Sequence, residues 1–243
     1  ARQTQADHDR TMSAWLLAFS SHHVGDLVAA RGHLTQFLQT ETVEDRRLLL
    51  SWTGFDRRPG AQGLLGVTLC QLGDGTEGLR QAALAERESI ATGRAVPWCD
   101  GLMWVCTARM MAYDFAGVTT TLRDLVEISE KNALKSNLGV GLGLMGVMAC
   151  REGRFAEAEE LTTRALSIAD ESHYGPFVPW FVGIKAAAIA RQGRAEEALA
   201  AIDRFHAQDV NGDVWCSPEL LRHEAEVRHA CGRPESETLE TVA

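Results

Sequence analysis

The sequence predicts an all-α solenoid of about six helical hairpins, and three observations carry that expectation. Short turn signals interrupt apolar helical patterns at Gly25, Gly73, Asp114, Gly153, Gly193 and Gly232, spaced 48, 41, 39, 40 and 39 residues apart. On each side apolar positions recur at i, i+3, i+4 and i+7, as in Met12, Trp15, Leu16 and Phe19. Small residues keep a fixed place about each turn: seven before it stand Ala18, Gly66, Thr107, Gly146, Ala186 and Ala225. Five after it stand Ala30, Gly78, Thr119, Ala158 and Ala198, with Glu237 departing. Two helices joined by a tight turn pack closely only where the side chains at their crossing are small.

Taken in order, the hairpins cover about 5–41, 60–93, 98–132, 137–171, 177–208 and 217–243, within one domain over 1–243. The long first spacing predicts an insertion at 42–58, where LLLSWTGFDRR forms an extra short helix or a loop packed across the first two units. Pro59-Gly60 and Pro97 break the chain between hairpins, and Pro176 and Pro179 mark the start of the fifth. Ser217-Pro218-Glu219 reads as an N-cap, a first-turn proline and an acid at the positive end of the helix dipole. No strand alternation of useful length competes with the helical reading.

Composition narrows the function classes. Hydrophobic residues make up 45% and charged residues 23%, which excludes a disordered or collagen-like chain. No apolar run approaches the length of a membrane span. With 24 Lys+Arg against 33 Asp+Glu the net charge is -9, so direct binding to nucleic acid is not expected. Six cysteines without C-x-x-C pairing suit a reducing, cytoplasmic setting. A start at Ala1, without a methionine or a signal-peptide profile, predicts a piece of a longer protein.

The fourth unit, GLGLMGVMACREGRFAEAEELTTRALSIAD, resembles a tetratricopeptide repeat through Gly146, Ala149, Gly153-Arg154-Phe155, Ala158, Ala165 and Leu166. The fifth repeats the pattern with Ala186, Gly193, Ala198 and Phe205, although the unit is near 40 residues rather than 34 and lacks the usual closing proline. The resemblance implies a right-handed superhelix of TPR-like hairpins. Runs such as GDLVAARGHLTQFLQ, GLLGVTLCQLGDGTEGLRQA and PELLRHEAEVRHACGRPES are similar to the C-terminal helical-repeat region of large bacterial signalling ATPases, of the adenylate-cyclase or winged-helix (LuxR-type) transcription-regulator kind. That resemblance implies a sensor or protein-interaction segment whose partners include the parent protein's ATPase and effector domains.

Catalytic and cofactor motifs do not assemble, so neither an enzyme nor a cofactor is expected. Gly141, Gly143 and Gly146 match G-x-G-x-x-G, but they lie inside a helix, where the dinucleotide fingerprint requires a strand followed by a helix start. His223-Glu224 begins a zinc motif whose second histidine position holds Val227, and His22, His23 and His229 have no ligand spacing, so no metal site is expected. Asp209, Asn211 and Asp213 supply too few oxygens for a calcium loop. Cys70, Cys106 and Cys150 read as small core residues, and Glu157, Glu159, Glu160, Glu196 and Glu197 as a solvated face. No nucleophile with its base is discernible.

In tetratricopeptide arrays the first helices line the concave face, at positions 13, 10, 6 and 3 before the turn residue. Carried onto this chain, and with charged neighbours at its C-terminal end, that resemblance implies a partner-binding groove of Trp15, Phe19, Gly63, Trp104, Met111, Gly143, Val147, Trp180, Gly183, Arg191, Arg222 and Glu226. Its glycines would admit a ligand close to the backbone, and its tryptophans would form walls for a peptide, a partner domain or a small effector. The competing expectation is a groove filled by the chain's own side chains or by the 42–58 insertion. A different function, a homo-oligomeric scaffold assembling through its repeat ends, follows from the apolar surface an uncapped repeat leaves open.

Overall fold

The structure, a computed structural model, describes residues 2–208 and 215–232. Among these residues there are twelve helices and no strand. The Asp209–Asp213 loop and the second helix of the last expected hairpin, with Glu237, lie outside the described residues. Hairpins are formed by α1 (Arg2–His23) with α2 (Leu27–Thr40), α4 (Arg58–Gln71) with α5 (Gly75–Ala91) and α6 (Ala95–Met111) with α7 (Phe115–Lys131). They continue with α8 (Lys135–Arg151) and α9 (Phe155–Ser172), then α10 (Val178–Arg191) and α11 (Ala195–Gln208), with α12 (Ser217–Ala230) following. The insertion contributes α3 (Val43–Thr53).

Each described hairpin turn is closed by one residue in the left-handed region, Gly25, Gly73, Tyr113, Gly153 and Gly193, and Gly232 after α12 takes the same conformation. The third of these corrects the expected register, because Tyr113 (φ 60) and not Asp114 occupies the equivalent position. Hydrogen bonds agree: Asp74 N–H reaches Leu69 O at 2.9 Å, Asp114 N–H reaches Arg109 O at 2.9 Å and Arg154 N–H reaches Ala149 O at 2.9 Å, the same five-residue closure each time. Asp114 is the N-cap of α7, accepting from Gly117 N–H at 3.1 Å, as Asp26 and Asp74 cap α2 and α5. The turns at 73, 113, 153 and 193 therefore recur every 40 residues. In the third unit the close-packing positions are Cys106 and Val118, both buried, one residue earlier than Thr107 and Thr119.

The chain divides into two compact units, Ala1–Asn137 and Leu138–Ala243. In the first, Ala18, Ala30, Leu34 and Phe37 form the α1/α2 core and Leu64, Val67, Leu102 and Val105 continue it; burying each large apolar side chain is worth about 1.5–3 kcal/mol. Arg109 ties α6 to its neighbours, donating to Gly117 O at 3.0 Å and pairing with Glu86 at 2.8 Å. The helix α3 begins with a reciprocal cap between Thr42 and Asp45 and ends at Gly54 (φ 80). It is fastened by Arg46 to Asp56 at 2.6 Å and by Arg58, which reaches Glu41 at 3.1 Å and Glu88 at 3.2 Å.

In the second unit Ala186, Ile189, Ala198, Leu199, Ile202, Leu220 and Val227 form one cluster joining α10, α11 and α12. Trp215 Nε1 donates to Pro176 O at 2.7 Å and its ring meets Phe177 edge-on at 5.1 Å, which seats the start of α12 against the start of α10. The α12 cap is corrected by one residue: Ser217 is already helical, Cys216 holds the cap position, and Pro218 and Glu219 lie in the first turn as expected. Where the first hairpins use aspartate caps, Arg154 and Arg194 pair instead with Glu157 and Glu197 in the first turns that follow.

Candidate functional site

With the corrected turns, the third unit's inner positions are Asp100, Met103, Thr107 and Met110, so Trp104 and Met111 each sit one residue beyond an inner position. In the first unit the expected groove residues are packed. Trp15 is 7% exposed and Trp104 2%, Gly63 and Val67 are buried, and Phe19 and Met111 are partly exposed. An aromatic series joins them: Trp15 to Phe19 at 5.8 Å, Phe19 to His23 at 4.0 Å, and His22 and His23 edge-on to Trp104 at 6.0 and 6.3 Å. The insertion adds the Arg57 guanidinium, 3.7 Å from the Phe55 ring centre and 5.8 Å from that of Trp15. Within this unit the inner face is filled by the chain itself.

Two titratable groups, buried His22 and half-buried Asp100, belong to that packing. His22, whose Nδ1 lies 3.0 Å from Thr68 Oγ1, is pushed down to about 3 by burial and by the neighbouring His23. Asp100 is the residue that sequence reasoning missed. Its carboxyl lies directly over Gly60, where a Cβ would collide with it, and loss of solvation pushes its pKa up to about 6 against the opposing pull of Arg57. The run of aspartates at 26, 74 and 114 is the sequence signal that would have corrected the register and placed Asp100 on the inner face. A separate cleft of about 290 Å³ lies between Arg46, Leu50 and Asp56 on one side and Glu88, Ala91, Thr92 and Arg94 on the other. Of its charges, Arg46, Asp56 and Glu88 are engaged in the Arg46–Asp56 and Arg58–Glu88 pairs.

The second unit differs along its length. Gly143 and Gly183 are buried; a Cβ on Gly143 would strike the Phe181 ring, and one on Gly183 would lie 3.2 Å from Leu220 Cα and from the His223 ring. Trp180 is 5% exposed. The expected close approach at these glycines is made by the chain itself, by α10 at Gly143 and by α12 at Gly183. Toward the C-terminal ends of the first helices the surface opens: Val147 and Cys150 are half-buried, and Arg191, Arg222 and Glu226 are exposed.

These open residues form one electrostatic neighbourhood. Arg222 donates to Glu219 at 2.8 Å, to Glu226 at 2.7 Å and to His223 Nε2 at 2.8 Å. Accepting at Nε2 leaves the His223 proton on Nδ1, 3.6 Å from Glu226 Oε2. His223, with Arg222 and Arg191 nearby, holds the Glu226 carboxyl below the usual carboxylate range. Burial pushes the Cys150 thiol up, with Glu226 adding to the rise and Arg191 and Arg222 opposing it, so it stays protonated near neutral pH. Among the described residues Arg191 donates no side-chain hydrogen bond, no three His, Cys, Asp or Glu converge as metal ligands, and no helix is long and apolar enough to cross a membrane. The strip offers half-buried Val147 and Cys150 beside an exposed Arg191 that acts on Glu226 through its charge and not through a hydrogen bond. It contains no activated nucleophile.

Comparison with solved structures supports the repeat fold. The chain is similar to the crystal structure of a Podosopora anserina putative kinesin light chain with nearly identical TPR-like repeats, at 17% identity and a TM-score of 0.53, over 76% of this chain and 94% of that one. A point variant of the same protein matches at 17% identity and a TM-score of 0.55, over 77% and 95%. No family model matches the sequence, and no curated protein matches it. The fold is an all-α, TPR-like solenoid.

Proposed function

We propose that this chain is a non-catalytic, TPR-like interaction domain that seats an extended peptide segment, a partner domain or a small effector on the inner strip of its second unit. The observation that carries this reading is the exposed Arg191, held by no side-chain hydrogen bond among the described residues, beside half-buried Val147 and Cys150, with Arg222 and Glu226 in its electrostatic reach. Half-buried apolar side chains beside an exposed guanidinium with no hydrogen-bond acceptor suit an amphipathic segment carrying a carboxylate next to an apolar side chain. The cytoplasmic setting in a bacterial signalling ATPase or transcription regulator follows from the sequence resemblance; there, occupancy would bias the attached ATPase through differential affinity for its two states.

A display library of short acidic-apolar peptides, selected on this chain and followed by titration calorimetry, tests the reading. The expected result is an enriched set whose binding falls about tenfold or more in Arg191→Glu, equivalent to about 1.4 kcal/mol. Failure to enrich any peptide, or equal binding by Arg191→Glu, sinks it. The second reading, a scaffold assembling through its repeat ends, is favoured by one observation: α1 leaves Leu16 and Leu17 more than half exposed.

A further inference from the structure

The described crossings between later hairpins take only 92–94, 132–134 and 173–177, whereas the chain uses 41–57 to pass from α2 to α4. The polar groups of that insertion close on one another. Thr42 and Asp45 cap each other, Arg47 lies 3.7 Å from Glu44, and Arg46 reaches Asp56 at 2.6 Å, clipping α3 to the chain that leaves it past Gly54. Ser51 donates to Leu48 O at 2.8 Å, and Thr53 to Leu49 O at 2.7 Å and Phe55 O at 3.0 Å. Among the described residues no side-chain hydrogen bond or ion pair ties Arg46, Arg47, Ser51 or Thr53 to another hairpin. Lifting α3 away therefore leaves its clip and its caps whole.

The seat itself is largely apolar. Leu48, Leu49 and Trp52 border Thr11 and Met12 of α1 around a crevice of about 10 Å³, too small for more than one water, and Leu49 is 3% exposed. Past Gly54 the Arg57 guanidinium, stacked on Phe55, lies 5.8 Å from the Trp15 ring centre. Met12 and Trp15 stand thirteen and ten residues before Gly25, so the insertion rests on two inner positions of the first hairpin, while Val43 and Trp52 stay more than half exposed. A helix of 11 residues does not persist alone in water, so its order depends on this small seat, which opens at a lower free energy than the hairpin cores. We propose that α3 is a built-in occupant of a second helix-docking site, on the inner face of the first hairpin, and that the amphipathic helix of a partner displaces it. The seated side chains state the chemistry of that partner: an apolar face spaced as Leu48, Leu49 and Trp52, followed by an aromatic ring and an arginine spaced as Phe55 and Arg57.

A fluorescent synthetic peptide of residues 42–57, titrated with the full chain and followed by anisotropy, tests it. The site is free only while α3 is open, so the apparent affinity is the intrinsic one scaled by the open fraction. Arg46→Ala, which removes the clip and leaves the seat intact, is expected to tighten peptide binding about tenfold, and Leu49→Asp placed in the peptide to abolish it. Hydrogen exchange on the unmodified chain gives a second measure: the amides of 43–53 are expected to exchange at least about tenfold faster than those of 58–71. No binding by Arg46→Ala, equal binding by the parent and Arg46→Ala, or α3 amides exchanging as slowly as those of α4 overturns the proposal. Arg191→Glu is expected to leave this binding unchanged, and a loss there would move the peptide to the second unit and overturn it as well. The site in the first unit and the strip in the second therefore fail separately.

Discussion

A Cβ built on Gly63 would stand 2.7 Å from the Cβ of Trp104, closer than side-chain carbons pack. The glycine and the tryptophan are one packing unit across two consecutive first helices. Gly63→Ala sets a helix-propensity gain of about 1 kcal/mol against an overpacking cost of about 1–3 kcal/mol. Because the colliding atom is a Cβ fixed to its backbone, the cost is expected to win, lowering stability by up to about 2 kcal/mol in urea unfolding. A more stable variant would mean that the two helices are not in this contact.

Tyr113 takes the left-handed turn conformation that glycine holds in the other four described hairpins, and the residue is 81% exposed. Removing the Cβ strain is worth about 1 kcal/mol, against a modest loss of its edge contact with Phe115 at 5.9 Å. Tyr113→Gly is therefore expected to raise the unfolding midpoint slightly, whereas Asp114→Gly, which deletes the α7 cap side chain, is expected to lower stability by a few tenths of a kcal/mol. A reversed order would restore the turn to Asp114.

Asp100 makes stability fall with rising pH. Its carboxyl titrates near 6 in the folded chain and near its ordinary 3.8 when unfolded, so between those values the unfolded state releases its proton first. The penalty is absent below about pH 4 and complete above about pH 6, reaching at most about 3 kcal/mol. Asp100→Asn is expected to be more stable than the parent at pH 7 and equal to it at pH 4 in chemical denaturation.

His22 works in the opposite direction. Its ring titrates near 3 when folded and near 6.5 when unfolded, so the stability it contributes is full above about pH 6.5 and is lost as pH falls toward 3. His22→Gln is expected to flatten that acid-side loss while lowering stability at pH 7, where the Thr68 contact is intact. Between pH 4 and 6 the two residues partly cancel, and the single variants separate them.

The repeat was legible because small residues at helix crossings are a local constraint, visible one hairpin at a time. The third turn was not, since a tyrosine with positive φ gives no sequence mark, and only the aspartate caps that follow Gly25, Gly73 and Tyr113 align it. Of the candidate site residues that the tetratricopeptide resemblance supplied, Arg191, Arg222 and Glu226 are exposed, whereas Trp15, Trp104 and Trp180 are buried rings. Their burial depends on small-to-large pairing between neighbouring helices, as with Gly143 and Phe181, and no single helix pattern reveals which ring fills which gap.

The chain's own cysteines test the central claim most directly. Cys150 lies half-buried on the proposed strip, whereas Cys99, Cys106 and Cys216 are buried. Native-state labelling with a small maleimide, read residue by residue by mass spectrometry, should modify Cys150 well before Cys106, and a selected peptide should slow Cys150 while leaving Cys231 unchanged. If Cys150 is as unreactive as Cys106, or if bound peptide leaves its rate untouched, the strip is not the binding surface.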